Sequence, residues 1–67
     1  MNSIVILDTQ ENKYLDYQSG TDIKIWVTNI DNAHRFTSAD AQIVLDSLNT
    51  QASPERFVGR PGDRGNH

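Results

Sequence analysis

The sequence predicts an α+β domain: a three-stranded antiparallel β-meander, with room for a short fourth strand near Phe57, and one amphipathic helix packed on one face. Three observations carry this. Three short segments rich in β-branched and aromatic residues, between Ser3 and Thr28, are separated by polar turns. The apolar spacing then changes to i, i+3, i+4 and i+7 at Ala41, Val44, Leu45 and Leu48. The 67 residues include no cysteine, so a domain that buries only about 60% of its unfolded surface must be held by burial or by a partner subunit.

The first segment, SIVILD at Ser3–Asp8, is apolar without alternation, as a central strand buried on both faces is. TQEN, Thr9–Asn12, breaks it with an Asn that tolerates left-handed backbone. Lys13–Gln18 alternates as a second strand, with Leu15 and Tyr17 on one face and Tyr14 and Asp16 on the other. SGTD, Ser19–Asp22, is the next turn, and Gly20 supplies positive φ. Ile23–Thr28 is the clearest period-2 stretch, with Ile23, Ile25 and Val27 facing one way and Lys24, Trp26 and Thr28 the other. With the three aliphatics turned to the core, Trp26 falls on the opposite face.

NIDNAHRF then allows one helical turn capped by Asn29 or Asp31. Thr37 has the chemistry of an N-cap, Asp40 stands where a capping-box acid does, and Phe36 can staple against Ala41. A helix is expected over about Ser38–Asn49. Its stripe of Ala41, Val44, Leu45 and Leu48 covers the sheet, while Ile43 points away from it.

A boundary is expected after Gln51, dividing a β-β-β-α domain (1–51) from a Pro/Gly/Arg-rich tail (52–67). The tail holds both prolines and three of the four glycines. Its last eight residues, RPGDRGNH, lack an apolar anchor and are expected to be disordered, while Phe57 and Val58 can strap over whatever Trp26 and Ile43 leave exposed. The four-residue spacing of Arg56, Arg60 and Arg64 does not make a helix, because Pro61 and the glycines forbid one. The net charge is −3. It is acidic before Ala52 and mildly basic after it, so the body repels nucleic acid unless its bases gather on one face.

The bases available to activate a nucleophile are few: His67 ends the tail, and His34 sits beside Arg35 on a connecting turn, where an exposed surface role is the simpler reading. The acids are spread over turns and strand ends, and no phosphate loop, dinucleotide turn, EF-hand loop or His-Glu metal helix is present. The expectation is of no catalytic residue, no cofactor and no metal. Nor is there a basic n-region at the N-terminus, whose longest apolar run is four residues, or a segment approaching the roughly 20 apolar residues of a membrane span. A cytoplasmic protein without membrane contact is expected. Trp26, with Tyr14 and Lys24 as neighbours on a sheet face that carries no helix, would form an aromatic patch suited to a protein partner.

The succession Trp26, Asn29, Ala33, Phe36, Thr37, Ala41, Val44 and Leu45 resembles that of small proteins encoded by bacteriophages and prophages, mostly of unknown function. In those, a β-meander ends in an aromatic strand, a polar turn leads to A-x-x-F, and a Ser/Thr-capped amphipathic helix follows. The resemblance implies a β-β-β-α layout and a partner that is a host enzyme or defence complex; it implies no catalytic residue. The chain departs from the pattern by its tail after Thr50. The resulting expectation is a non-enzymatic binding protein that modulates or inhibits a host protein in the host cytoplasm, with Trp26, Tyr14, Lys24, Ile43, Arg56 and Arg60 as its partner-binding residues. One alternative is a nucleic-acid-binding accessory protein using Trp26, Lys24 and the tail arginines. Another is a self-associating protein, a homodimer with Trp26 in its core.

Overall fold

A strand that is apolar at nearly every position belongs inside a sheet with a neighbour on each edge, and Ile4–Asp8 has both. The structure, a computed structural model, describes residues 3–50 and 56–62. Along the chain come β1 (Ile4–Asp8), β2 (Lys13–Tyr17), β3 (Lys24–Val27), a single 3₁₀ turn (Ile30–Asn32), α1 (Ser38–Thr50) and β4 (Phe57–Pro61). They build one antiparallel sheet in the order β3-β2-β1-β4 with α1 packed on it. The expected α+β meander is therefore present. The fourth strand near Phe57 pairs with β1 along all five of its residues, from Asp8–Phe57 to Ile4–Pro61.

The turns follow from local chemistry. The Asp8 carboxylate accepts the backbone N–H groups of Gln10 (3.0 Å) and Glu11 (3.3 Å), and Asn12 takes φ 57°. Gly20 takes φ 75°, as the SGTD turn requires. Asn29 caps the 3₁₀ turn by accepting the N–H of Asp31 at 2.9 Å. Thr37 caps α1: its Oγ1 accepts from the Asp40 N–H at 3.2 Å and its carbonyl from the Ala41 N–H at 2.9 Å.

β1 and β2 are paired at Leu7–Tyr14 and Asp8–Lys13. Where they diverge, residues 33–36 enter between them. The His34 N–H donates to the Leu15 carbonyl (3.0 Å), and Phe36 exchanges two backbone bonds with Ile4 (2.9 and 2.8 Å). This carries Phe36 into the core beside Ile6, Leu15, Ala41 and Phe57, with Ile4, Tyr17, Trp26, Val44, Leu45 and Leu48 packed around them. The helix stripe and the Phe36–Ala41 staple thus lie where the spacing puts them.

Two expectations are corrected. Ile23, Ile25 and Val27 do not face the helix, and Trp26 does. The pairing of Tyr17 with Lys24 sets Leu15 opposite Trp26, and directly opposite residues share a face. Trp26 packs on the core, whereas Ile23 and Ile25 are 55% and 36% exposed. One large ring closes more of a small core than an aliphatic side chain does. Nor is RPGDRGNH irregular from its start: Arg60 and Pro61 belong to β4, and the Gly62 N–H donates to the Ser3 carbonyl at 2.8 Å. Gly62 is buried; a Cβ there would lie 2.8 Å from Val5 and 3.1 Å from Arg35, so this close approach admits only glycine. The boundary expected after Gln51, and residues 63–67, lie outside the described residues.

Candidate protein-interaction face

One layer of helix covers one face of a sheet and leaves the other to solvent or to a partner. Here the helix face is set by Ile4, Ile6, Leu15, Tyr17, Trp26 and Phe57. Alternation sends their neighbours to the far face, and the register aligns four of these in one row across the sheet: Val27 on β3, Tyr14 on β2, Leu7 on β1 and Val58 on β4. All four are half-buried. Ile25, opposite Asp16, extends the row at the β3 edge, and Arg60, opposite Val5, stands exposed at the other side. Val5 itself is fully buried, in contact range of Gly62, which Arg35 also overlies. Arg35 is held there by donating Nη1 to the carbonyls of Ile30 (2.8 Å) and Ala33 (2.7 Å). The far face is therefore finished at the Val5 end and apolar along the Val27-to-Val58 row, with an acid and a base at its margins.

The residues expected to share a site are distributed over three surfaces. Tyr14 and Arg60 lie on the far face. Lys24 and Trp26 lie on the helix side, where the Trp26 ring stacks on Phe57 at 5.5 Å between centroids, with 28° between planes. The strap from the C-terminal segment thus meets Trp26, whose half-buried ring is engaged with Phe57. Ile43 is 66% exposed on the outer side of α1, not covered by Phe57 or Val58. Leu7, Ile25, Val27 and Val58 were missed as surface residues, because an apolar strand shows no phase by itself. The signal that finds them is β2, whose Leu15/Tyr17 alternation carries over to β3 once the hairpin register is fixed.

Arg56, expected as a partner-binding residue, is engaged within the chain. Its Nε and Nη2 donate to the two carboxylate oxygens of Asp8 at 3.0 and 2.9 Å, and its guanidinium lies 5.1 Å from the Phe57 ring centre. Asp8 is 3% exposed. The Arg56 hydrogen bonds hold its carboxyl below the ordinary value of 3.8; burial opposes this, and the Gln10 and Glu11 N–H groups add to it. Arg56 is raised in turn, chiefly by its hydrogen bond to Asp8. The pair ties the start of β4 to the first turn, where the Thr9 N–H and hydroxyl both donate to the Arg56 carbonyl at 2.8 and 2.7 Å.

His34 is exposed, yet its ring meets Tyr17 and Phe36 edge-on at 5.0 and 4.5 Å, and Arg35, expected on the surface, is half-buried. No group of three or more His, Cys, Asp or Glu side chains able to hold a metal occurs among the described residues. A shallow groove of about 310 Å³ runs between α1 and β4, lined by Ile4, Ser38, Ala41, Gln42, Leu45 and Gly59; it contains no acid, base or histidine. No described helix is long and apolar enough to cross a membrane. Comparison with protein-family models, curated proteins and solved structures gives no match.

Proposed function

We propose that this chain is a non-enzymatic binding protein that presents the far face of its sheet to another protein. The observation that supports it is the transverse row Val27, Tyr14, Leu7 and Val58, apolar on all four strands and opposite the helix-covered face. Burying such a row contributes about 25 cal/mol per Å² of apolar area removed from water. Tyr14 adds an aromatic body with a polar tip, a combination enriched at protein interfaces. Asp16 and Arg60 at the margins give the contact an orientation. With the resemblance to phage-encoded proteins, the partner is a host protein whose activity the contact modulates, in the host cytoplasm. The nucleic-acid alternative loses support, because its proposed stacking residue is engaged with Phe57 and Arg56 with Asp8.

Affinity capture from host lysate with wild-type, Tyr14→Lys and Trp26→Phe chains tests this reading. Tyr14→Lys places a charge in the middle of the row and abolishes capture, while Trp26→Phe keeps a ring on the helix side and retains it. Capture that survives Tyr14→Lys contradicts the assignment of the face.

A further inference from the structure

Every open sheet has two edges, and each edge strand turns alternate N–H and C=O groups outward. On β3 the parity is fixed by the Gln18 N–H, which donates to the Ile23 carbonyl at 2.9 Å. Ile23, Ile25 and Val27 therefore bond toward β2, and the outward backbone groups belong to Lys24 and Trp26. No side chain among the described residues is bonded to them. The two exposed isoleucines of this region, Ile23 and Ile25, lie along the same edge. This differs from the far-face row: it is a line of backbone donors and acceptors, and it specifies a strand as its complement.

We propose that the complement is β3 of a second copy, paired antiparallel about a two-fold axis at Ile25, so that the two sheets run into one. The sequence of the edge selects this register. With Ile25 opposite its own copy, Lys24 lies opposite Trp26, Ile23 opposite Val27 and Asp22 opposite Thr28. Lys24 and Trp26 then exchange both N–H···O bonds in each symmetric pair, using the outward groups. The isoleucines and valines form an apolar ladder on the far face, and no like charges are opposed. Centring the axis on Lys24 sets two ammonium groups against each other, and centring it on Trp26 leaves Ile23 opposite Asn29. A heterologous strand carries no such requirement; self-pairing of this edge satisfies its apolar and charged positions together. The proposal goes beyond the face reading and does not rest on it, although joining the sheets also makes the two far faces continuous.

The test is sedimentation equilibrium of the full chain between about 10 µM and about 1 mM, the range in which a small interface associates. Wild-type chains move from one copy to two across it. Lys24→Pro removes one outward N–H at an exposed position and moves the transition to at least about tenfold higher concentration. Ile25→Lys, which opposes two cations on the axis, does the same and serves should the proline disturb β3; near-ultraviolet dichroism of Trp26 reports that the fold is kept. Tyr14→Lys leaves the transition in place while losing partner capture, so failure of one reading is distinguished from failure of the other. A wild-type chain that stays single throughout overturns the proposal. So do Lys24→Pro and Ile25→Lys chains that are folded and associate as wild type does.

Discussion

At Phe57 the outer edge of β4 meets an amide: Asn49 on α1 accepts the Phe57 N–H through Oδ1 at 3.2 Å and donates Nδ2 to the Phe57 carbonyl at 3.1 Å. Two residues from the strand's end, Gly59 is the next outward position, and Pro61 after it has no N–H to offer. At Lys24 and Trp26 the outer edge of β3 meets no described group of that kind. The two strands close opposite sides of one sheet, with similar lengths and the same antiparallel pairing. Asn49 and Pro61 thus guard two of the three outward positions of β4, whereas β3 carries only one lysine as a guard. Unguarded edges invite pairing with another chain, so the asymmetry separates the edge that belongs to the fold from the edge available for assembly.

The largest effect comes from breaking the guarded side. Phe57→Ala removes the ring that stacks on Trp26 and closes the core, and costs about 3 to 5 kcal/mol; urea unfolding monitored by Trp26 fluorescence shifts its midpoint down accordingly. A smaller change tests the guard itself. Asn49→Ala leaves the outward groups of Phe57 to water and costs about 1 kcal/mol, but it also opens β4. The variant associates beyond two copies in sedimentation at high concentration, because both edges then accept a strand. If it remains like wild type in mass, the Asn49 clamp is not what keeps β4 from pairing.

The smallest effect is confined to acid. The Asp8 carboxyl titrates below its unfolded value of 3.8, so the stabilisation from its Arg56 contact is complete above about pH 4 and is lost as pH falls through the folded value. Thermal melting of the wild type therefore declines on acidification below that point. The Asp8→Asn chain, already without the ion pair, shows a flatter decline. Equal slopes would mean that the carboxylate–guanidinium contact contributes nothing to holding the start of β4.

Much of this arrangement was legible in the residues. The Thr37 cap, the Ala41/Val44/Leu45/Leu48 stripe, the left-handed Asn12, the positive φ of Gly20 and the two faces of β2 all follow from local chemistry or from period alone. The facing of β3 did not. Ile-Lys-Ile-Trp-Val is apolar on both sides, and what decides its phase is the hairpin register, which pairs Trp26 with Leu15 across a turn. The contribution of Arg60, Pro61 and Gly62 was hidden for a different reason. These residues are held by backbone bonds to β1 and by the fit of Gly62 against Val5 and Arg35, and not by any apolar side chain of their own. Of the candidate site, Tyr14, Arg60 and the idea of an uncovered face came from the sequence. The row that surrounds Tyr14 required the register of all four strands.

The difference between the two edges is read most directly by amide hydrogen exchange of the wild-type chain at two concentrations, one dilute and one above the association midpoint. The account predicts that the Phe57 amide is protected at both, while the Lys24 and Trp26 amides exchange rapidly when dilute and become protected when concentrated. Lys24 and Trp26 amides that are as slow as Phe57 in dilute solution, or that are indifferent to concentration, would contradict it.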